Sequence, residues 1–213
     1  MKNLLKIFII SVAVIFAIVF LISVNLIPID QGPFKDAYSL YYAGDTRHFR
    51  ANLFEANKTV VYPDEDAIKN VLLNPNVYKI DIAYIPNDTE NANYLALSFE
   101  ITNKLGLVYR SYFDEQPSVF KDDDGSSCML FFQEKKTKCF KSLPINSTDE
   151  LVPTDVEPVI LLLGPSRTNQ TGVTVKGNLI TLEGKDFSQV NRNYNDLDLA
   201  VDKMLLVLML SKN

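Results

Sequence analysis

The first long hydrophobic run of the chain predicts a membrane-spanning helix. Residues 7–27 read IFIISVAVIFAIVFLISVNLI, which is 21 residues without a charge, 16 of them Ile, Val, Leu or Phe. As a helix this run would be about 31 Å long, which matches the hydrocarbon core of a bilayer. A signal-peptide core is shorter and ends at a small-x-small site, so we expect the helix to be retained as an anchor.

Beyond the anchor, the hydrophobic pattern predicts alternating strands and helices. The predicted strands cover residues 59–62, 77–85, 107–113, 159–163, 173–176 and 179–183, and the predicted helices begin near Asp64, Asn91 and Asn195. The strand 159–163 is apolar at every position, which is typical of a strand covered on both faces. Gly177 and Asn178 separate two alternating runs and predict a tight hairpin.

Two further segments carry weaker signals. Residues 91–105 fit both a strand alternation and a helical stripe, and the length of the segment together with Gly106 directly after it favours a helix that ends there. The tyrosines Tyr38, Tyr41 and Tyr42 fit either a membrane interface or a short helix packed on the domain, and we favour the helix.

These elements predict an α/β or α+β fold with one domain outside the membrane. We expect a membrane anchor over 1–28, a juxtamembrane segment over 29–45, and a mixed-sheet domain with helices packed on it over 46–213. Lys2 and Lys6 precede the hydrophobic run, so the positive-inside bias places the N-terminus in the cytoplasm. The domain is then extracytoplasmic.

The charge of the chain excludes one class of partner, and its two cysteines predict a disulfide. The formal net charge is −5 and no Lys/Arg cluster occurs, so we expect no nucleic-acid partner. Cys128 and Cys139 flank a predicted hairpin, and outside the cytoplasm such a pair favours a disulfide over two free thiols. A redox-active pair would normally have the Cys-x-x-Cys spacing, which this pair lacks.

Four N-x-S/T sequons agree with an external location. They are the candidate glycosylation sites Asn57, Asn87, Asn146 and Asn169. The bilayer and other surface or envelope proteins are therefore the expected partners.

The C-terminal part resembles a known group of proteins. The segments LLGP, GNLITLEGKDF and LDLAVDKMLLVLM, from residues 162–165, 177–187 and 197–209, resemble uncharacterised archaeal-type signal-anchored surface proteins, some with S-layer-like α/β domains. The resemblance covers about a quarter of the chain and carries no catalytic residue. It implies an extracytoplasmic α/β domain.

Three segments resemble known catalytic or ligand-binding motifs, but each lacks residues that its motif requires. The loop after Leu163 lacks the second glycine, lysine and Ser/Thr of a phosphate-binding loop, and Ser166 lacks the final glycine of a nucleophile elbow. A histidine base would have to follow this serine in the chain, but the single histidine, His48, precedes it. The acidic run 122–124 fails the EF-hand pattern because Phe120 and Phe131 would occupy the first and twelfth ligand positions.

The sequence therefore assigns no catalytic, cofactor-binding or metal-binding residue. We expect a membrane-anchored extracytoplasmic binding or scaffold module that needs no cofactor. An extracytoplasmic hydrolase that uses Ser166 or scattered carboxylates, and an accessory subunit of a membrane complex, are the alternatives.

If Cys128 and Cys139 form a disulfide, reduction should raise the intact mass of the purified protein by two hydrogen atoms. Mass spectrometry before and after reduction tests this, with a Cys128→Ser, Cys139→Ser double variant as the control whose mass should not change. An unchanged wild-type mass would show two free thiols.

Overall fold

A computed structural model describes residues 36–187 and 193–211. The predicted anchor, residues 7–27, lies outside these ranges, and so do residues 29–35 of the predicted juxtamembrane segment. Within the described ranges no helix is both long enough and apolar enough to span a bilayer.

The described residues form a mixed α/β fold in which helices pack on one large sheet. Ten strands are present in these ranges: β1 Ser39–Tyr42, β2 Asp45–His48, β3 Val61–Tyr62, β4 Lys79–Tyr84, β5 Ser118–Lys121, β6 Ser127–Phe131, β7 Lys136–Pro144, β8 Val159–Leu163, β9 Gly172–Lys176 and β10 Leu179–Glu183. The α-helices are α1 Leu53–Lys58, α2 Glu65–Leu72, α3 Asn91–Phe113 and α4 Asp196–Leu210, and a single 3-10 turn covers Thr148–Glu150.

Eight of the strands form the sheet, in the order β3-β9-β10-β8-β4-β7-β6-β5, while β1 and β2 form a separate hairpin. Strand β4 is parallel to both of its neighbours, β7 and β8, and β8 is parallel to β10. The pairs β9 with β10, β6 with β7 and β5 with β6 are antiparallel, and the edge strand β3 is parallel to β9. This architecture confirms the expected mixed sheet.

The apolar strand β8 divides its side chains between two cores, because successive residues of a strand point to opposite faces. Ile160 and Leu162 belong to the main core on the helical side of the sheet. Val159 and Leu161 belong to a smaller cluster on the other side, which also contains Ile145. The predicted burial of this strand on both faces is confirmed.

Helix α4 is buried along nearly its whole length. Asn195 accepts a hydrogen bond from the backbone N–H of Asp198, whose side chain accepts from the N–H of Asn195, so the two residues form a capping box. Every residue from Asp196 to Met209 is buried. The helix packs against the other three helices and against strands β9 and β10. The helix predicted after Asn195 is thus confirmed, and the structure shows in addition that it lies within the main core.

The strand predicted over 107–113 is wrong, because these residues continue helix α3. Gly106 does not end the helix; it lies buried inside it, and a Cβ added there would lie 3.3 Å from the Met129 side-chain end on β6. The helix ends instead at Asp114, which takes a left-handed conformation with φ of 51° and donates its N–H to the carbonyl of Arg110. Val108 and Tyr109 lie in the main core and Phe113 packs against it, whereas Tyr112 is exposed.

The short helix predicted around Tyr38 is also wrong. Residues 39–42 form strand β1, in which Leu40 and Tyr42 are buried and Tyr41 is exposed. The strand pairs with β2 across a turn at Ala43 and Gly44, both of which have positive φ. A two-residue turn with positive φ suits a hairpin, which explains why strands form here.

Lys138 on β7 is a buried cation without a carboxylate partner in the described part of the chain. Only 1% of this side chain is exposed; it donates a hydrogen bond to the carbonyl of Val77, and its Nζ lies 5.0 Å from the centre of the Tyr109 ring. Burial lowers the pKa of Lys138 to about 8.

A Lys138→Met variant should be more stable than the wild type near neutral pH. Below pH 8 both states of the wild type carry the charge, so the full cost of burying it is present. Between about 8 and 10.5 the folded wild type releases a proton that the unfolded chain keeps, and its free energy of unfolding rises. Urea unfolding should therefore show a stability advantage of the variant that is about 2 kcal/mol smaller at pH 10 than at pH 7. An advantage that does not change with pH would show that folded Lys138 stays protonated.

Candidate functional site

The chain leaves the carboxyl ends of the neighbouring parallel strands β4 and β8 in opposite directions along the sheet, and we call the region between these strand ends the crevice. After β4 the chain runs through α3 to β5, β6 and β7, all on one side of β4. After β8 it runs to β9 and β10, on the other side. Ligands of α/β proteins commonly bind at such a switch point, so this crevice is the first place to look for a site.

The carboxylate of Glu90 lies in this crevice and accepts four hydrogen bonds. Its Oε2 accepts hydrogen bonds from the amide nitrogen of Asn87 at 2.8 Å, from the hydroxyl of Ser166 at 2.9 Å and from the hydroxyl of Tyr94. Its Oε1 accepts from the backbone N–H of Ser166 at 3.0 Å. The Tyr94 hydroxyl in turn accepts from the N–H of Gly164 at 2.9 Å. The start of α3 is therefore tied directly to the loop after β8.

This arrangement favours a structural role for Ser166. Burial alone would raise the pKa of Glu90, but the hydrogen bonds that its carboxylate accepts outweigh burial and lower the pKa. A carboxylate stabilised in this way is a weak general base for the serine hydroxyl. His48 is exposed on β2, and no hydrogen bond joins it to this serine among the described residues.

Two more buried carboxylates hold the rest of the loop. Glu183 accepts from the hydroxyl of Thr168 at 2.8 Å and from the amide of Gln170 at 2.7 Å. Asp196, at the start of α4, accepts from the hydroxyl of Thr171 at 2.8 Å. The loop 164–171 is thus held by hydrogen bonds to three acidic side chains.

The sequons differ in how accessible their side chains are. Asn57, Asn146 and Asn169 are exposed. Asn87 is half-buried, and the nitrogen to which a glycan would be joined donates to both Glu90 and Ser166. A glycan at this position would break the crevice, so Asn87 is the least suitable of the four. Glycosylation stays a prediction at each of them.

The two cysteines lie directly opposite each other on β6 and β7. The sulfurs of Cys128 and Cys139 are 2.11 Å apart, which is disulfide distance. An oxygen of Asp122 lies within 4.8 Å of both sulfurs, but sulfurs joined to each other are not thiolate ligands for a metal. Asp124 in the same turn pairs with Lys79 at 2.8 Å, so the turn is stabilised by ion pairs.

A second site is a groove between α3 and the outer strands β5, β6 and β7. The cavity has a volume of about 990 Å³, at the upper end of the range for small-molecule sites. Its apolar lining residues include Leu95, Phe99, Leu107, Val119 and Met129. We call this cavity the α3–β5 groove.

Several apolar side chains in the groove remain in contact with solvent. Phe99 is 73% exposed, Leu95 is 53% exposed and Val119 is 73% exposed. Scattered exposed apolar residues are ordinary on a protein surface, whereas a group of them in one concave surface is typical of a binding site.

The groove also concentrates positive charge on an acidic protein. Its charged lining residues are Arg47, Arg110, Lys121, Lys141 and Asp124. The carboxylate of Asp124 is already paired with Lys79 and Lys141, so it does not neutralise the other cations. The chain as a whole has a net charge of −5, so the groove differs in sign from the average surface.

The two arginines mark one end of the groove. Both also line an adjoining cavity of about 440 Å³, whose lining includes Asp114 and Glu115 as well. Arg110 donates to the neutral amide of Gln116 rather than to a carboxylate. The Nε of Arg47 is buried and has no hydrogen-bond partner among the described residues, although its NH1 lies 3.4 Å from Asp45. The guanidinium groups therefore retain capacity to bind an anion.

Sequence reasoning missed this groove, although one signal was present. Leu95 and Phe99 are four residues apart and lie outside the buried helical stripe that includes Leu97 and Ile101. A second apolar stripe on the outer face of a helix indicates a surface that another element covers. The cations come from β2 and β5 as well as from α3, so their convergence needs the folded structure.

Gly164→Ala should disrupt the crevice. An added Cβ would lie 2.7 Å from the Glu90 carboxylate and 2.8 Å from the Tyr94 hydroxyl, so we expect overpacking to lower the free energy of unfolding by about 1–3 kcal/mol. Gly106→Ala is the matched control, because its new Cβ would meet only the flexible end of Met129 and alanine favours a helix. Urea unfolding followed by far-UV circular dichroism measures both. Equal stability of the two variants would contradict the tight packing at Gly164.

Comparison with known proteins identifies no relative. No protein family, curated protein or solved structure matches this chain. The resemblance of the C-terminal segments to archaeal-type surface proteins therefore stays a prediction. Functional inference depends on the geometry of the crevice and of the α3–β5 groove.

Proposed function

We propose that this protein is a membrane-anchored extracytoplasmic binding module whose ligand-binding surface is the α3–β5 groove. The observation that carries the proposal is the convergence of Leu95, Phe99 and Val119, all largely exposed, in one cavity bordered by cations. A partner that covers these side chains gains the free energy of removing apolar surface from water.

The energetic scale supports binding as the role of this surface. Full burial of a Phe or Leu side chain contributes about 1.5–3 kcal/mol, and a few buried aromatic and arginine residues usually dominate an interface. Phe99 supplies the aromatic side chain, and Arg47 and Arg110 supply the arginines. These three residues are therefore of the types that contribute most of the binding energy in protein interfaces.

The rest of the fold supports a pre-organised groove. The floor strands β6 and β7 are joined at Cys128 and Cys139, and the start of α3 is held by the Glu90 hydrogen bonds. A binding surface on rigid elements loses less conformational entropy when a partner binds. This rigidity suits a scaffold or binding module.

The anchor and the external location rest on the sequence. The uncharged run over 7–27 has the length of a bilayer core, and Lys2 and Lys6 precede it. The disulfide-distance cysteine pair agrees with an oxidising compartment. Together these features support a domain that the anchor holds close to the extracytoplasmic surface of the membrane.

Site-specific photocrosslinking in the native membrane tests the binding surface. A photoreactive amino acid at Phe99 or Leu95 should form adducts with a partner, because both side chains line the groove. The same amino acid at Val152 is the control, since this residue is 78% exposed but lies outside the groove, in the loop after β7. Protease added to intact cells should meanwhile digest the domain.

Adducts that form equally at Val152, or at none of the three positions, would contradict the groove as a binding surface. Complete protection of the domain in intact cells, with digestion only after lysis, would contradict the external location. The two arms fail independently, so each part of the proposal has its own test.

A further inference from the structure

The two edges of the large sheet are not equivalent. The edge strand β3 has two residues and is followed at once by Pro63, which has no N–H to offer. The other edge strand, β5, has four residues, all exposed, and pairs only with β6 among the described residues. The unpaired side of β5 therefore offers backbone donors and acceptors along the border of the α3–β5 groove.

We propose that the groove binds an extended, acidic segment of a partner protein that pairs with the free edge of β5. The inference rests on the proposed function and names the class of its ligand. Addition of a strand to an exposed sheet edge is a recurrent mode of peptide recognition, in which backbone hydrogen bonds give affinity and alternate side chains give specificity.

The register of β5 determines which side chains of the added strand enter the groove. Val119 lies opposite Met129, and Lys121 lies opposite Ser127. Met129 faces α3, because a Cβ on Gly106 would lie 3.3 Å from its methyl group. Residues directly opposite each other share a sheet face, so Val119 and Lys121 also face the helix. Every second side chain of an added strand would do the same.

The length of the groove sets the length of the ligand. Residues from Leu95 to Arg110 on α3 line it, and this stretch of helix is about 22 Å long. An extended chain covers that distance with about seven residues. The alternate positions that face the groove are then the first, third, fifth and seventh.

The cations at the two ends of the groove favour acidic residues at the two ends of the ligand. Arg47 and Arg110 lie with Gln116 near the start of β5, and Lys121 is the last residue of that strand. Carboxylates at the first and seventh positions would meet these cations, and an arginine can bind a carboxylate through two parallel hydrogen bonds. Apolar residues at the third and fifth positions would cover Phe99 and Met129.

A phospholipid could use the same cations and apolar lining, but it has no backbone to pair with β5. The free edge therefore favours a peptide. A test of the backbone hydrogen bonds separates the two ligand classes directly.

The probe is the fluorescein-labelled peptide Glu-Thr-Val-Thr-Leu-Thr-Glu, capped at both ends, titrated by fluorescence polarisation against the full chain in neutral detergent. We expect saturable binding that weakens with salt, and no binding of the same peptide with Lys in place of Glu. In a paired strand only alternate N–H groups face the neighbour. N-methylation of one alternate set should therefore abolish binding, whereas methylation of the other set should preserve it.

Matched variants locate the site. The double variant Arg47→Gln, Arg110→Gln should bind the peptide with an affinity lower by about tenfold or more. Hydrogen bonds to charged groups contribute free energy on that scale. Phe99→Ser should also weaken it while the protein stays folded, because Phe99 is largely exposed. Lys176→Gln, an exposed cation at the end of β9, is the control and should bind as the wild type does.

Equal effects of the two methylation patterns, equal binding of the lysine peptide, or displacement of the acidic peptide by short-chain phosphatidylglycerol without dependence on the β5 edge would overturn the inference. Such a result together with crosslinks at Phe99 would leave the groove as a binding surface for another ligand. Absence of both peptide binding and crosslinks would reject the groove as a binding surface altogether.

Discussion

Helix α4 has no solvent-facing side, and the neighbouring elements must therefore satisfy the charges that it carries. Asp202 is fully buried and accepts a hydrogen bond from the N–H of Ala51 at 2.7 Å, while Asp198 is paired with Arg50 at 3.1 Å. Burial raises the pKa of Asp202, and the nearby ammonium of Lys104 and the hydrogen bond from Ala51 oppose this effect. Loss of a partner would leave a buried charge uncompensated, which costs far more than an exposed ion pair contributes. The segment before α1 is thereby fixed against α4.

The same constraint positions α3. The ammonium of Lys104 lies 4.0 Å from Asp202 and 3.8 Å from the centre of the Phe49 ring, so this side chain links α3 to α4 and to the segment after β2. At its start α3 is tied to the loop after β8 through Glu90, and along its outer face it forms the wall of the α3–β5 groove. The contacts of Glu90 and Lys104 thus hold the helix that forms one wall of the groove.

Prediction from the sequence was strongest where a local pattern has one physical solution. The apolar run of β8, the hairpin at Gly177 and the capped helix after Asn195 were all predicted, because burial, turn geometry and capping are read from neighbouring residues. Residues 107–113 were assigned to a strand because Gly106 was read as the end of a helix. In the structure Gly106 lies inside α3 and faces Met129 on β6, a contact between separate elements that the local pattern does not contain.

By itself, the sequence determined the hydrophobic run suited to a bilayer, the mixed α/β class, and the opposed cysteines on one hairpin, since each depends on residues close together in the chain. The tertiary structure alone decided the rest. Glu90 and Ser166 are 76 residues apart, and Arg47 and Arg110 come from different elements, yet each pair forms one local arrangement. Sheet order brings such residues together, and sheet order depends on long-range pairing that no short window of sequence encodes.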